Sequence, residues 1–331
     1  MSETEPNLLA VDLGGTHTRL RLANGDAEVP HSQLERHVRT ADFPDLTSLL
    51  RHFFQASGRP PPARACLAVA GPVWDGPGGQ RARVTRLQWE IDGRALRREL
   101  GFERLRLIND FEAIGHALAG IPEEELYCLQ AGEPEAQGTR ALIGAGTGLG
   151  QALLPHDGQD YRVLPTEGGH ADFAPGDALQ LELLRHLQGR YTHVSWERLV
   201  SGPGLALIHD FLCQRAGHLP EFDLDDPRTP ARISERALDQ DDPFAGQALD
   251  LFLRLYGAQA GNLALTAMAR GGLYIAGGIA PRILPRLSTD GFLAAFRNKG
   301  RMTELMHRFP VHLVLTEQPG LLGASLVASR L

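Results

Sequence analysis

The chain has 331 residues, 43% of them hydrophobic and 22% charged, with a formal net charge of −7. That length predicts two domains, and that composition excludes disordered, collagen-like and coiled-coil chains. An acidic chain with no Lys/Arg run lacks the attraction that drives binding to nucleic-acid backbones or anionic membranes, so neither is expected as a partner.

Residues 1–7 carry Glu3 and Glu5 without a basic start or an apolar core, and no run of about 18 apolar residues follows, which predicts a cytoplasmic protein. Leu8–Leu13 is an apolar run broken by Gly14-Gly15, after which Thr18, Leu20 and Leu22 alternate with polar neighbours. The pair predicts a hairpin. Leu46, Leu49, Leu50, Phe53 and Phe54 have helical spacing over 45–57, with Gly58 as the stop. Cys66–Ala70 reads as a strand and the glycine-rich Trp74–Arg83 as a loop. Strand Arg106–Ile108 runs into Asn109-Asp110 and a helix over 111–118, and Ala131–Thr139 reads as another loop.

The segment 140–154 repeats the opening pattern: an apolar run, the turn Gly144–Gly150, and a second apolar run. This predicts a second hairpin and an internal duplication. Beyond Gly176 helices dominate, at 177–188, 204–213 and 243–269, the last capped by Asp242 with Pro243 in its first turn. Strand 272–276 leads into Gly277-Gly278, and strand 311–315 and a helix from Gly320 close the chain.

Glycine turns with a neighbouring threonine let backbone N–H groups approach an anion. Two such turns, at Gly14–Thr16 and Gly146–Gly150, therefore suit the two sides of a polyphosphate. Each alone is a weak sign, since G-G turns are ordinary hairpin chemistry, and the run Gly144–Gly150 is the stronger because four glycines in seven residues cost folding entropy that a plain turn would not require. No helix follows the second turn, so it is not a dinucleotide fingerprint. Asp12 lies inside an apolar strand and needs a cation or donors to satisfy it; Mg²⁺ at a phosphate site or the turn amides would serve. Asp110, at a strand end, is placed either for a general base or for a helix N-cap. Glu167-Gly168-Gly169-His170 joins a carboxylate and an imidazole suited to hydroxyl recognition, with too few ligands nearby for zinc. Gly277-Gly278 would let a flat ring lie on backbone, and a helix cap or close packing explains it equally. Cys66, Cys128 and Cys213 are odd in number and dispersed, which predicts buried thiols in a reducing compartment. The one lysine, Lys299, is followed by Gly300-Arg301, which excludes a P-loop and disfavours a lysine Schiff base.

Taken in order, D-L-G-G-T at Asp12–Thr16, L-I-N-D-F at Leu107–Phe111, G-A-G-T-G-L-G at Gly144–Gly150, E-G-G-H-x-D-F-A-P at Glu167–Pro175, E-R-L-V-S-G-P-G-L at Glu197–Leu205 and I-A-G-G-I at Ile275–Ile279 resemble the bacterial glucokinases of the non-zinc type. The resemblance spans essentially the whole chain, and the three scattered cysteines do not supply the zinc motif of the related repressor/kinase group. It implies an α/β fold of the two-domain actin/hexokinase (ribonuclease H-like) type with a cleft between domains. Residues 1–110, joined by a C-terminal helix 320–331, would form the small domain and 111–319 the large one.

The activity so implied is ATP-dependent phosphorylation of D-glucose to glucose 6-phosphate, with Asp110 as base. Asn109, Asp110, Glu167, His170 and Glu197 would contact the sugar. Asp12, Gly14, Gly15, Thr16, Gly146, Thr147, Gly148, Gly150, Gly277 and Gly278 would contact ATP, with Mg²⁺ at Asp12, and the protein would be a homodimer. Three positions depart from the family pattern: His17 stands for the usual Asn, Arg86 for the Asn of T-N-x-x-W, and Thr166 for a Gly. A kinase of a related hexose and a sugar-responsive regulator are the alternatives. A first strand near Leu8, leaving no room for an N-terminal DNA-binding domain, and the acidic charge speak against the regulator.

Overall fold

A computed structural model describes the chain except residues 1–5, 26–28, 86 and 240–241. It divides into two compact units, one running to Glu123 and taking in Thr316–Leu331, the other Glu124–Leu315.

In the first unit, β1 (Leu8–Leu13), β2 (His17–Asn24), β3 (His31–Arg39), α1 (Leu46–Ser57), β4 (Arg64–Val69), β5 (Val73–Gly76), β6 (Gly79–Val84), β7 (Trp89–Asp92), α2 (Gly93–Leu100), β8 (Arg104–Asn109) and α3 (Asp110–Ala117) follow in order. The main sheet runs β3-β2-β1-β4-β8, with β1 antiparallel to β2 and parallel to β4. β1 is apolar on both faces because both are covered. Leu9 and Val11 pack with Leu49, Leu50 and Phe53 of α1, while Leu8 and Ala10 pack with Ala113 of α3 and with Leu321 and Ala324 of the C-terminal helix, Pro319–Ser329. Asp45 caps α1 by accepting the Ser48 N–H, and Gly58 ends it in the left-handed region at φ 66°.

The C-terminal helix lies so close to α3 that a Cβ on Gly323 would fall inside the Ala113 carbonyl. This packing keeps α3 in the first unit, beyond the break that the sequence places after Asp110. Gly323→Ala should lower stability by about 1–3 kcal/mol or more, as overpacking does. Urea unfolding checks it, and a variant within about 0.5 kcal/mol of wild type would show that the helices can part at little cost.

The loop expected over 74–83 is instead the hairpin β5–β6, extended by β7 into a small sheet. Its glycines make the turn, and its strands are held by pairs that sequence spacing does not display, Arg81 with Asp92 at 3.1 Å and Arg83 with Glu90 at 2.6 Å.

The second unit contains β9 (Leu126–Gln130), β10 (Arg140–Ala145), β11 (Leu149–Leu154), β12 (Leu164–Thr166), α4 (Ala178–Gln188), α5 (Trp196–Leu199), α6 (Gly202–Arg215), α7 (Thr229–Asp239), α8 (Pro243–Ala267), β13 (Gly272–Ala276), α9 (Leu284–Leu287), α10 (Asp290–Arg297), α11 (Thr303–Arg308) and β14 (Val311–Val314). Its sheet runs β12-β11-β10-β13-β14-β9. Alternate residues of the central strands, among them Ile143, Leu273 and Leu313, join Phe252 and Tyr256 of α8 in one core. β10 has an antiparallel partner on one side and a parallel one on the other, the arrangement β1 has in the first unit. Cys66 and Cys213 are buried free thiols, but Cys128 is exposed, contrary to expectation, because β9 is an edge strand. Among the described residues no helix is long and apolar enough to cross a membrane.

Candidate active site

The first unit carries Asp12, the Gly14–Thr16 turn and the strand end at Asn109-Asp110. Thr40 braces the turn, its N–H donating to the Thr16 carbonyl at 3.0 Å and its hydroxyl to the Gly14 carbonyl at 2.8 Å. The hairpin register sets Asp12 opposite Arg19, whose Nη1 lies 3.6 Å from Asp12 Oδ2. A Cβ on Gly320 would sit 3.3 Å from Asp12 Cγ, so the carboxylate also rests against the first turn of the C-terminal helix, the end that favours a negative charge. Its side chain keeps 23% of its surface open, within a dense protein surround. Burial pushes the Asp12 carboxyl above the usual carboxylate range, and the Arg19 guanidinium pulls it back.

Asn109 ends β8 and caps α3: its Oδ1 accepts the N–H groups of Phe111 at 2.8 Å and Glu112 at 3.3 Å, while its Nδ2 donates to the Gly71 carbonyl at 3.0 Å. Asn109 therefore does the capping work that the sequence leaves open for Asp110. Asp110 becomes the first helical residue, with Oδ1 accepting the Phe111 N–H at 2.9 Å. Burial first, and the Asp12 charge second, push its carboxyl up to about 6. A group with that pKa is mostly ionised at pH 7 and still basic enough to accept a proton.

The second unit carries the other predicted residues. Glu197, on α5, accepts the Leu149 N–H with Oε2 at 2.9 Å, and a Cβ on Gly148 would lie 2.5 Å from that oxygen. The turn needs glycine there because the carboxylate occupies the space. His170 lies between two carboxylates, Nδ1 3.8 Å from Glu197 Oε1 and Nε2 3.7 Å from Glu167 Oε2. Glu167, His170 and Glu197 thus form one cluster, with Glu167 and His170 largely exposed. Gly146, Thr147, Gly148 and Gly150 belong to the β10–β11 hairpin turn. The Gly146 carbonyl accepts the Gly202 N–H at the start of α6, and the Ala145 N–H donates to the buried Tyr256 hydroxyl at 3.1 Å. Gly277 has φ 86°, and a Cβ on it would meet the Ala145 carbonyl at 2.6 Å, whereas Gly278 faces open space.

Arg19, Thr40 and Tyr256 escape the sequence reading. Hairpin register counted from Gly14-Gly15 is the signal that could have found Arg19. Nothing local marks Tyr256, which is 111 residues from its partner. Of the three departures, His17 is exposed with its ring 4.7 Å from that of His37, Thr166 lies on β12, and Arg86 falls outside the described residues.

The donor set can be tested against Mg²⁺. Among the described residues no three His, Cys, Asp or Glu side chains are grouped to cage a metal. Mg²⁺ is usually held by one or two carboxylates together with substrate phosphates, and a single carboxylate close to a glycine turn, as Asp12 is, fits that donor set.

A family model described as Glucokinase matches residues 9–331. The chain is 41% identical to a glucokinase of Nostoc punctiforme, over 98% of this chain and 99% of that one. The crystal structure of a glucokinase from an Antarctic psychrotroph superposes with a TM-score of 0.85 at 32% identity, covering 99% of this chain and all (100%) of the other. That of a ROK family glucokinase from Streptomyces griseus, in complex with glucose and AMPPNP, gives a TM-score of 0.64 at 20% identity, covering 98% and 99%, a likeness of fold.

Proposed function

We propose, for a chain that belongs to the glucokinase family, has its two-domain actin/hexokinase-like fold and is an enzyme that phosphorylates glucose, that Asp110 is the general base of the reaction. The observation that carries this is the environment of Asp110: Asn109 relieves it of capping, and burial with the Asp12 charge raises its basicity. In this reading Asn109, Asp110, Glu167, His170 and Glu197 hold the sugar hydroxyls. Gly14–Thr16 and Gly146–Gly150 hold the ATP phosphates, and Gly277-Gly278 take the adenosine. Asp110 aligns the glucose 6-hydroxyl and accepts its proton as the new O–P bond forms, while the bond from the γ-phosphorus to its bridging oxygen breaks and ADP leaves with the electron pair. Asp12 would hold the Mg²⁺ that accompanies ATP, and that ion would supply neutralisation of phosphate charge. A cytoplasmic homodimer belongs to the same proposal, and sedimentation at assay concentration checks the dimer.

A coupled assay with glucose, ATP and Mg²⁺ should show glucose-dependent ADP release, and none above background would overturn the reading. Because the base must be ionised, kcat should fall about tenfold per pH unit below about 6. A profile flat from pH 7 to 4.5 would remove Asp110 from the role.

A further inference from the structure

The Glu167–His170 turn stands over β11, where Gln151 pairs in register with Thr166 of β12. Thr166 stitches strand to turn, its hydroxyl donating to the Gln151 carbonyl at 3.3 Å and accepting the Gly168 N–H at 3.3 Å. The Gln151 side chain fills the remaining space: its Oε1 occupies the place that a Cβ on Gly168 would take. Its head group therefore lies against the residue that follows Glu167. Gln151 is only 3% exposed, and its Nε2 is buried with no hydrogen-bond partner. A buried donor left unpaired is costly, and native structures keep few of them. Above it the backbone of the turn packs on β11, with Gly169 buried, while its polar side chains reach outward, Glu167 87% and His170 60% exposed and 3.7 Å between them.

We propose that Gln151 is a positioning residue for sugar recognition, its Nε2 held unpaired in the free protein and paired when the sugar draws the Glu167–His170 turn onto it. The inference rests on the reading of Glu167 and His170 as sugar contacts. A group that is unsatisfied in one conformation and satisfied in another shifts the balance toward the second, and the ligand that selects the second binds more tightly for it. The free protein loses stability by this arrangement and the sugar complex gains affinity. An apolar side chain of similar length removes both effects, because neither the cost nor the later bond remains.

Gln151→Met preserves an unbranched chain that packs in the same space. We expect the glucose dissociation constant by calorimetry, and KM with it, to rise about tenfold, a single hydrogen bond's worth, with kcat within about threefold of wild type. The unfolding temperature without glucose should stay level or rise, and the gain on adding glucose should shrink. A glutamine with a merely structural role gives the opposite pattern, a lowered unfolding temperature with unchanged KM, and that would overturn the proposal. Wild-type protein that binds no glucose overturns both this inference and the sugar reading beneath it. Wild type that binds glucose beside a variant that binds it equally overturns this inference alone. Should the variant fail to fold, a crystal structure of the wild-type glucose complex decides: Nε2 within about 3.2 Å of an acceptor supports the proposal, and Nε2 still unpaired rejects it.

Discussion

Replacing Asp110 by asparagine should lower kcat by two or more powers of ten while glucose still binds. A sugar hydroxyl is a poor nucleophile at pH 7, and a positioned carboxylate that takes its proton in the transition state contributes about 10²–10⁴-fold. Asparagine keeps the size and most of the hydrogen bonding of the side chain but accepts no proton. On the proposed reading Asn109, Glu167, His170 and Glu197 would remain to hold the ring, so the loss should fall on kcat, as expected for an interaction used mainly in the transition state. Damage to α3 is a poor rival explanation, because its cap is Asn109. Stability should move the other way. A carboxyl whose pKa is raised on folding, here from 3.8 to about 6, costs stability that accrues as pH rises through that window and is complete above it, so at pH 8 the variant should melt at or above the wild-type temperature. Calorimetric glucose titration beside steady-state turnover decides the matter. A kcat within about tenfold of wild type would reject Asp110 as base.

Asp12→Asn should cost about 10²–10³-fold in kcat at saturating glucose and ATP, the scale of losing one preorganised electrostatic group. The catalytic burden in phosphoryl transfer is positioning and charge neutralisation, and Asp12 is a carboxylate two residues ahead of the first glycine turn. The residual activity carries a second signature. The Asp12 charge is one cause of the raised Asp110 pKa, so its removal should move the acid limb of the pH profile below the wild-type position near 6. Excess chelator should abolish wild-type turnover. Full turnover in chelator would end the metal assignment, and an unmoved acid limb would end the coupling between the two carboxylates.

The sequence by itself determined those features whose physics is local. Apolar runs broken by glycine marked both hairpins, and Asp45, Gly58, Asp242 and Pro243 marked helix ends, because caps and buried stripes are set by residues a few positions apart. The ordered motifs were enough for the family. The loop reading of 74–83 failed where strands are held by partners in β7 rather than by their own composition. Asn109 and Asp110 are equally good caps on paper, and the choice fell to the extended backbone at Asn109, φ −68° and ψ 150°, where β8 delivers the chain into α3. Tertiary structure alone set Asp12 near Asp110, put the Glu197 carboxylate where a Gly148 side chain would be, and left Gln151 Nε2 unpaired under the Glu167–His170 turn. Each of these depends on groups distant in sequence and close in space, and desolvation, charge coupling and hydrogen-bond satisfaction are properties of that surround rather than of any residue in it.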